Sequence, residues 1–351
     1  MSNALKSKEP LRAPFPWFGG KRTVADLIWE RLGDVKNYVE PFFGSGAVLL
    51  ARPHEPRAET ISDADHYVAN FWRAVKADPD AVAFYADHPV IESELSARHW
   101  WLITEGKSRL AEIEGNPDFF DPQIAGWWVW GTCAWIASGW CSGNGPWQWD
   151  GTEWQKNASR KSNKKLPHLG NSGRGLNRQL PHLGDSGMGI NNEAPAFGRR
   201  RARAEFISEW MSALADRLRD VRVAAGDWSR VCGPSVTHLH GLTGVFLDPP
   251  YGAEAGRTEG LYATDSSTVA AEARDWAIKK GTNPLMRIAF AGYVGEHTFP
   301  DEWTCVEWKA CGGFGSQGNG KGRENSSKER LWFSPHCLVP QAAATLSLME
   351  A

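Results

Sequence analysis

The chain has 351 residues, of which 42% are hydrophobic and 23% charged, and its formal net charge is −2. This length and composition allow a sizeable buried core, and we predict one catalytic domain with a second domain inserted into it. No stretch approaches the roughly 18 uninterrupted apolar residues of a membrane span, and the first ten residues lack an apolar signal core, which argues against a membrane protein or a secreted one. The six cysteines show no C-x-x-C spacing, which favours reduced thiols in a cytoplasm over disulfides or a zinc site.

The segment that ends near Ala77 has the order of a nucleotide-binding β-α-β unit. Its predicted elements are helix Thr23–Leu32, strand Asn37–Glu40, helix Ala47–Leu50, strand Thr60–Asp63 and helix Tyr67–Lys76. A strand, a glycine turn, a helix and a second strand that ends in an acidic residue follow one another in such units. We therefore predict an α/β fold.

The glycine turn Phe43-Gly44-Ser45-Gly46 follows the first strand and opens the next helix. Glycine lets the backbone pass close to a ligand, and the first turn of a helix offers backbone N–H groups that have no partner in the helix. Asp63, at the end of the next strand, is positioned to accept hydrogen bonds from two ribose hydroxyls. The alternative for Asp63 is a helix N-cap.

A lysine precedes the first strand in the motif Trp17-Phe18-Gly19-Gly20-Lys21. The glycine turn lacks the third glycine of a dinucleotide fingerprint and no complete G-x-x-x-x-G-K-[ST] P-loop occurs, and both features argue against NAD. The Lys21 ammonium is suited to the carboxylate of a cofactor that carries an amino acid. A solvated surface lysine is the alternative.

The pattern changes in residues 78–204, for which we predict a mainly helical insert with basic, repeat-containing loops. Residues 1–77 and 205–351 are then the two parts of the catalytic domain. Asp87–Arg109 and Ala125–Trp140 are predicted helices.

Eight of the nineteen tryptophans fall in the second of these helices or shortly after it. Three are expected to pack in a helical core, namely Trp127, Trp128 and Trp130. Three more follow in a stretch rich in Gly, Pro and Asn, namely Trp147, Trp149 and Trp154. For these, burial and stacking or wedging at DNA both stay open, because burial is harder in such a loop.

Positive charge is concentrated between Lys156 and Arg203. This segment contains eleven Lys and Arg but only two acidic residues, so its net charge is +9. Such a segment is a candidate phosphate-binding surface. The predicted phosphate contacts are Lys161, Lys164, Lys165, Arg199, Arg200, Arg201 and Arg203, and the predicted base readers are Arg174 and Arg178. A solvated basic loop is the alternative.

The same segment contains a repeat, since Leu166–Asn177 returns as Leu180–Asn191. Two copies are too few for a solenoid and too rich in glycine for helices, so we predict paired polar loops. Each copy has one histidine but no acidic or thiol partner at ligand spacing, and no metal is expected.

The α/β pattern resumes after the insert. The predicted elements are helix Phe206–Leu218, strands Val221–Ala225 and Gly244–Leu247, helix Ser267–Lys280, strand Leu285–Gly292, and a hairpin of Trp303–Lys309 with Glu329–Phe333. The apolar strand before Asp248 is stopped by two prolines at the carboxyl edge of the sheet, where open α/β sheets bind ligands.

The residues at that edge, Asp248-Pro249-Pro250-Tyr251, suit a planar base that carries an amino group. The Asp248 carboxylate and the Pro249 carbonyl can accept hydrogen bonds from one exocyclic amine, and Tyr251 offers a face for stacking. Such a base must first leave its helix.

Taken in order, these motifs resemble those of the Dam-like, α-class adenine-N6 DNA methyltransferases. The matching stretches are Pro16–Lys21, Glu40–Gly46, Asp63, Gly226–Trp228, Asp248–Tyr251 and Ser327–Trp332. The resemblance implies a Rossmann-like S-adenosylmethionine domain with a helical target-recognition domain inserted before D-P-P-Y. One departure is Trp228, where family members often carry Phe after Gly-Asp.

The resemblance also implies roles for individual residues. Trp17 and Lys21 hold the methionine end of the cofactor, and Phe43, Gly44 and Gly46 line its site. Asp63 takes the ribose and Asp227 the amine of the cofactor adenine, while Asp248, Pro249, Pro250 and Tyr251 bind the target base.

The expected function is transfer of a methyl group from S-adenosylmethionine to N6 of a flipped adenine in DNA. DNA is the expected partner, a cognate restriction endonuclease is a further candidate, and the chain is expected to act as a cytoplasmic monomer of bacterial or phage origin. The alternatives are cytosine-N4 or RNA-base methylation, and a non-catalytic DNA-binding protein.

Overall fold

The computed structural model describes residues 11–17, 20–135, 140–141, 147–149, 154–156, 200–250, 268–308 and 329–340. The strands are β1 (Asn37–Glu40), β2 (Ala58–Asp63), β3 (Trp147–Trp149), β4 (Trp154–Lys156), β5 (Val221–Ala225), β6 (Thr243–Leu247), β7 (Met286–Tyr293), β8 (Thr304–Glu307) and β9 (Glu329–Phe333). The α-helices are α1 (Ala25–Leu32), α2 (Ala47–Leu50), α3 (His66–Ala77), α4 (Pro79–Ala86), α5 (Glu92–Trp101), α6 (Lys107–Leu110), α7 (Pro122–Ala134), α8 (Arg200–Leu218) and α9 (Val269–Gly281). A π-helical turn, Leu102–Gly106, joins α5 to α6, and 3₁₀ turns cover Arg22–Val24, Trp228–Val231 and His238–His240.

Seven strands form one mixed sheet in the order β5-β2-β1-β6-β7-β9-β8. The first five of these strands are parallel, and β9 runs antiparallel to both β7 and β8. The carboxyl ends of β5, β2, β1, β6 and β7 therefore meet at one edge of the sheet. The predicted α/β class is confirmed, and the seven-stranded sheet is consistent with a Rossmann-like methyltransferase fold.

Both faces of the sheet are covered, as the continuous apolar strands predict. Along β6, Val245 and Leu247 pack in the cluster that contains Ala273 of α9. Phe246 points to the other face and belongs to the cluster that contains Ile28 of α1. The central strands β1 and β6 are buried along their whole length, so their ends are held rigidly.

The helices between residues 79 and 134 share the core of the sheet. Contacts join α7 to α3 and to α4, and α4 to α8. Trp128 and Trp130 of α7 are buried in the same cluster as α1 and α3, while Trp127 is partly buried against it. The predicted core role of these three tryptophans is confirmed. The boundaries of the recognition insert stay a prediction.

Several predicted elements differ from the structure. Helix α8 begins at Arg200 and not at the predicted Phe206. The predicted helix Asp87–Arg109 omits α4, and residues 87–91 lie outside any helix. The predicted helix Ala125–Trp140 ends at Ala134, because Trp135 adopts an extended backbone. The stretch that contains Trp147, Trp149 and Trp154 includes a two-stranded antiparallel pairing of β3 with β4 rather than only loop. Within the part of the chain that the structure covers, no helix is long and apolar enough to cross a bilayer.

Candidate active site at the carboxyl edge of the sheet

Four neighbouring parallel strands end in acidic residues at one edge of the sheet. Asp63 and Glu40 close β2 and β1, Asp248 follows β6, and Asp227 follows β5 after one glycine. The parallel pairing of these strands brings the four acids to a common edge. Three of them are predicted site residues, and Glu40 is an addition.

The glycine turn between β1 and α2 has the conformation that the motif predicts. Gly44 and Gly46 have φ angles of 47° and 63°, in the region that glycine adopts without strain. A Cβ atom on Gly44 would lie 2.3 Å from Nε1 of Trp17, and one on Gly46 would lie 2.4 Å from Cζ of Phe43. The aromatic rings therefore pack directly against the turn. The Phe43 ring is buried, so it supports the turn from inside.

Asp63 is tied to this turn through its side chain. Oδ2 accepts a hydrogen bond from the backbone N–H of Gly44 at 2.8 Å, and Oδ1 accepts one from the backbone N–H of Asp65 at 2.8 Å. Burial, together with the charge of Asp65, raises the pKa of Asp63 to about 7. The N-cap of α3 is Asp65, whose carboxylate accepts from Tyr67 N–H, so the N-cap alternative for Asp63 is wrong.

Lys21 lies inside the site and not on the surface. Its side chain is 3% exposed, and Nζ is 2.9 Å from Oδ1 of Asp248, which is 21% exposed. The surface-lysine alternative is therefore wrong. The carboxylate that faces the ammonium belongs to Asp248, so the first and last motifs of the site are joined by an ion pair.

Glu40 is a buried carboxyl group that the residue-by-residue prediction missed. It is 2% exposed, and it accepts hydrogen bonds from the Tyr38 hydroxyl at 2.9 Å and from the backbone N–H of Leu49. Burial raises the pKa of Glu40 well above its ordinary value, and the charge of Asp248 raises it further. The signal in the sequence is a glutamate that continues an otherwise apolar strand into the glycine turn.

Asp227 is exposed and caps its own 3₁₀ turn, because Oδ1 accepts from the backbone N–H of Ser229 at 2.9 Å. The preceding Gly226 N–H donates to the Asp63 carbonyl at 3.0 Å, which fixes this turn beside β2. Trp228 is buried and stacks on Phe42, with ring centroids 6.0 Å apart. The tryptophan that departs from the family pattern thus has a packing role.

Only some of the residues predicted to bind DNA are among those that the structure describes. Tyr251, Lys161, Lys164, Lys165, Arg174, Arg178 and Arg199 lie outside the described residues, as do both copies of the repeat. Arg200 and Arg201 belong to the first turn of α8, and their side chains are not described. Arg203 forms an ion pair with Asp87 at 2.9 Å and donates to the His88 carbonyl, so it connects α8 to the end of α4. Pro249 is buried and Pro250 half-buried beside Asp248.

Comparisons with known proteins address the same region of the chain. Residues 17–99 match the D12 class N6 adenine-specific DNA methyltransferase family. The chain is 38% identical over 72 residues to the Type II methyltransferase M.MjaIII of Methanocaldococcus jannaschii, which is 18% of this chain and 25% of that protein. It is 33% identical over 70 residues to the DNA adenine methylase of Vibrio cholerae serotype O1, which is 20% of this chain and 24% of that protein. The matched part spans about a quarter of the length of these relatives. The resemblance predicted from the motifs is confirmed over this part of the chain.

Proposed function

We propose that this chain transfers a methyl group from S-adenosylmethionine to N6 of an adenine that has left the DNA duplex. The observation that carries the proposal is the ion pair between Lys21 and Asp248 at the edge that also holds the glycine turn and Asp63. This edge is where open α/β sheets bind their ligands. The names of the matched family and relatives agree with the proposed reaction.

The residues of the edge fit S-adenosylmethionine chemically. Asp63 would accept the ribose hydroxyls, since its carboxyl group is already partly desolvated and held in place by two backbone N–H groups. Trp17, Phe43, Gly44 and Gly46 would shape the site, and Asp227 would accept from the adenine amine of the cofactor. The Lys21 ammonium would hold the carboxylate of the methionine part. When bound, the cofactor supplies the methyl group from its sulfonium.

Asp248 and Pro249 would prepare the acceptor nitrogen. An aromatic amine is a poor nucleophile because its lone pair is delocalised into the ring. If the Asp248 carboxylate and the Pro249 carbonyl accept its two hydrogens, the nitrogen becomes more tetrahedral and its lone pair is directed away from the ring. Orientation of this kind contributes several kcal/mol, up to roughly 7–11 for well-placed reactants. Lys21 fixes the carboxylate in that position through the ion pair, and Asp248 can hold the proton that N6 loses.

Tyr251 is proposed to stack on the flipped base, which offsets part of the few kcal/mol that extrusion costs. The basic segment from Lys156 to Arg203 is proposed to bind the phosphates, and Arg174 and Arg178 to read bases. The helical and basic part of residues 78–204 is accordingly proposed as the target-recognition region. A cognate restriction endonuclease and a monomeric state stay proposals.

Replacing Asp248 tests the proposal directly. We expect Asp248→Ala to bind S-adenosylmethionine while it loses methylation by orders of magnitude, because the acceptor amine is no longer oriented. The measurement is N6-methyladenine formation on duplex DNA, by mass analysis of the released nucleosides, with isothermal titration of the cofactor alongside. The control is Asp220→Ala, an exposed acid just before β5 that should leave both readouts unchanged.

Near-wild-type N6-methyladenine formation by Asp248→Ala would refute the mechanism. The same mass analysis separates the remaining acceptors, since N4-methylcytosine or a methylated RNA base would appear in place of N6-methyladenine.

A further inference from the structure

Trp308 lies at the same edge of the sheet as the proposed catalytic residues. It directly follows β8, which runs in the same direction as β7 because both pair antiparallel with β9. Its ring centroid is 5.6 Å from Nζ of Lys21, a distance at which a cation interacts with an aromatic face. Trp308 therefore contacts the lysine of the Lys21–Asp248 ion pair, although it follows the strand at the far end of the sheet.

The indole N–H of Trp308 is buried and has no hydrogen-bond partner among the described residues. The residue is 9% exposed. A buried indole N–H normally finds an acceptor, and leaving it without one is costly. Other indoles of the protein donate to backbone carbonyls, as do those of Trp29, Trp72, Trp130, Trp140 and Trp210.

Trp308 differs in its position from the other tryptophans whose buried indole N–H has no partner among the described residues. Trp127 and Trp135 also have buried N–H groups without a partner in the described parts of the chain. Trp127 packs under Arg98 and against Trp101, and Trp135 stacks on His99, so both belong to the helical segment. Trp308 adjoins an ammonium that is itself bound to a carboxylate of the proposed site.

We propose that Trp308 is a cofactor-binding residue whose indole N–H donates to the carboxylate of S-adenosylmethionine. This inference rests on the proposed function. The Lys21 ammonium already forms an ion pair with the Asp248 carboxylate. The carboxylate of the cofactor would share that ammonium and therefore needs a further hydrogen-bond donor. A carboxylate has two oxygens and can accept from an ammonium and an indole N–H together. The cation–π contact keeps the two donors side by side.

The decisive experiment compares two ligands on two proteins. S-adenosylhomocysteine carries the amino-acid carboxylate, and 5′-methylthioadenosine lacks the whole amino-acid part. Trp308→Phe keeps an aromatic face for Lys21 and removes only the N–H donor. We expect the variant to bind S-adenosylhomocysteine about tenfold more weakly or worse, as loss of a hydrogen bond to a charged group implies, while its affinity for 5′-methylthioadenosine stays unchanged. Isothermal titration measures all four dissociation constants.

The matched control is Trp127→Phe, which removes a comparable indole N–H in helix α7, where the ring lies under Arg98 and not under Lys21. It should leave the affinity for both ligands unchanged. Equal affinities of wild type and Trp308→Phe for S-adenosylhomocysteine would overturn the inference and leave the proposed function standing. The inference also fails if cofactor affinity is unchanged and only DNA affinity falls, since the acceptor would then be on the nucleic acid. Failure of the wild-type protein to bind S-adenosylhomocysteine would remove the proposed function and this inference together.

A measurement on the wild-type protein guards against a variant that does not fold. With ¹⁵N-labelled tryptophan, one indole N–H resonance should move on addition of S-adenosylhomocysteine and stay in place on addition of 5′-methylthioadenosine. Absence of any such selective shift would count against Trp308 as a donor.

Discussion

The surroundings of Asp63 raise its pKa so far that its carboxyl group titrates near neutral pH. Burial raises its pKa to about 7, from an ordinary value of 3.8, although two backbone N–H groups favour the charged form. Below pH 7 the carboxyl group of the free protein is therefore mostly protonated. Ribose hydroxyls that donate to it would favour the carboxylate and lower its pKa in the complex, so binding would release a proton.

This linkage predicts that cofactor binding tightens as the pH rises to about 7. Below that value the affinity for S-adenosylhomocysteine should weaken by up to about tenfold for each pH unit. Asp63→Asn should bind more weakly at pH 8 and should lose this dependence, because the amide does not titrate. Titration calorimetry between pH 5.5 and 8.5 measures both effects. A wild-type affinity with the same pH profile as Asp63→Asn would show that Asp63 does not bind the ligand.

At the level of single residues, the sequence indicates which residues belong to the site but not which residues contact each other there. Asp63, Lys21 and Asp248 can be recognised because each stands at a strand end or in a short motif. The ion pair of Lys21 with Asp248 cannot be foreseen, since the two residues are far apart in the chain and only the sheet order joins them. Trp308 carries no local signal at all, because its role depends on the return of β8 to the same edge.

The strands are predicted more accurately than the helices of residues 79–134. The bounds of β1, β5 and β9 agree with the prediction at both ends. These strands are short and are flanked on either side by charged or polar residues, glycine or proline, so local sequence indicates where they stop. The prediction omits helix α4 although Asp78 caps it and Pro79 opens it, because its apolar residues show little helical periodicity. The early end of α7 follows from a tertiary contact, the stacking of Trp135 on His99 at 4.9 Å.

The contact between α4 and α7 can be tested through Gly126. A Cβ atom at this position would lie 2.4 Å from Cβ of Tyr85 and 2.8 Å from the Val82 carbonyl, and neither can move without shifting α4. We expect Gly126→Ala to lower the free energy of unfolding by about 1–3 kcal/mol, as overpacking does, despite the better helix propensity of alanine. Urea unfolding followed by far-UV circular dichroism and by tryptophan fluorescence measures the change.

The control for this variant is Gly115→Ala, where the nearest atom to the added Cβ is the Glu112 carbonyl oxygen at 4.0 Å. It should change stability little. If Gly126→Ala is as stable as the wild type, the two helices do not pack as described. Two separate unfolding transitions would contradict a core shared with the sheet.

At the scale of the whole molecule, charge is divided between two regions. The edge of the sheet holds four acidic residues, one of which pairs with Lys21, whereas the segment from Lys156 to Arg203 has a net charge of +9. DNA is a polyanion, so its binding is expected to depend on the basic segment and to be sensitive to salt.

Neutralising Arg199, Arg200 and Arg201 to Gln should weaken binding to all DNA sequences. Each phosphate contact that is lost should also reduce the slope of log affinity against log salt by about 0.9. Arg203 is left in place because its ion pair with Asp87 stabilises the contact between α8 and α4. Fluorescence anisotropy over a series of salt concentrations gives the slope, and Arg219→Gln, an exposed arginine at the end of α8, serves as control. An unchanged slope would remove the three arginines from the DNA interface.

The position of α4 and α7 has a practical consequence for hybrid proteins. Their buried side chains lie in one cluster with those of α3 and α8. A chimera in which the segment from residue 78 onward comes from a second parent protein would therefore build this core from side chains of two different proteins. Cys141 is buried in the same cluster and Trp140 packs against it, so junctions after Cys141 and before Arg200 leave the described part of that interior to a single parent. We therefore expect that a change of DNA sequence preference between relatives needs a transplanted segment shorter than the predicted insert of residues 78–204.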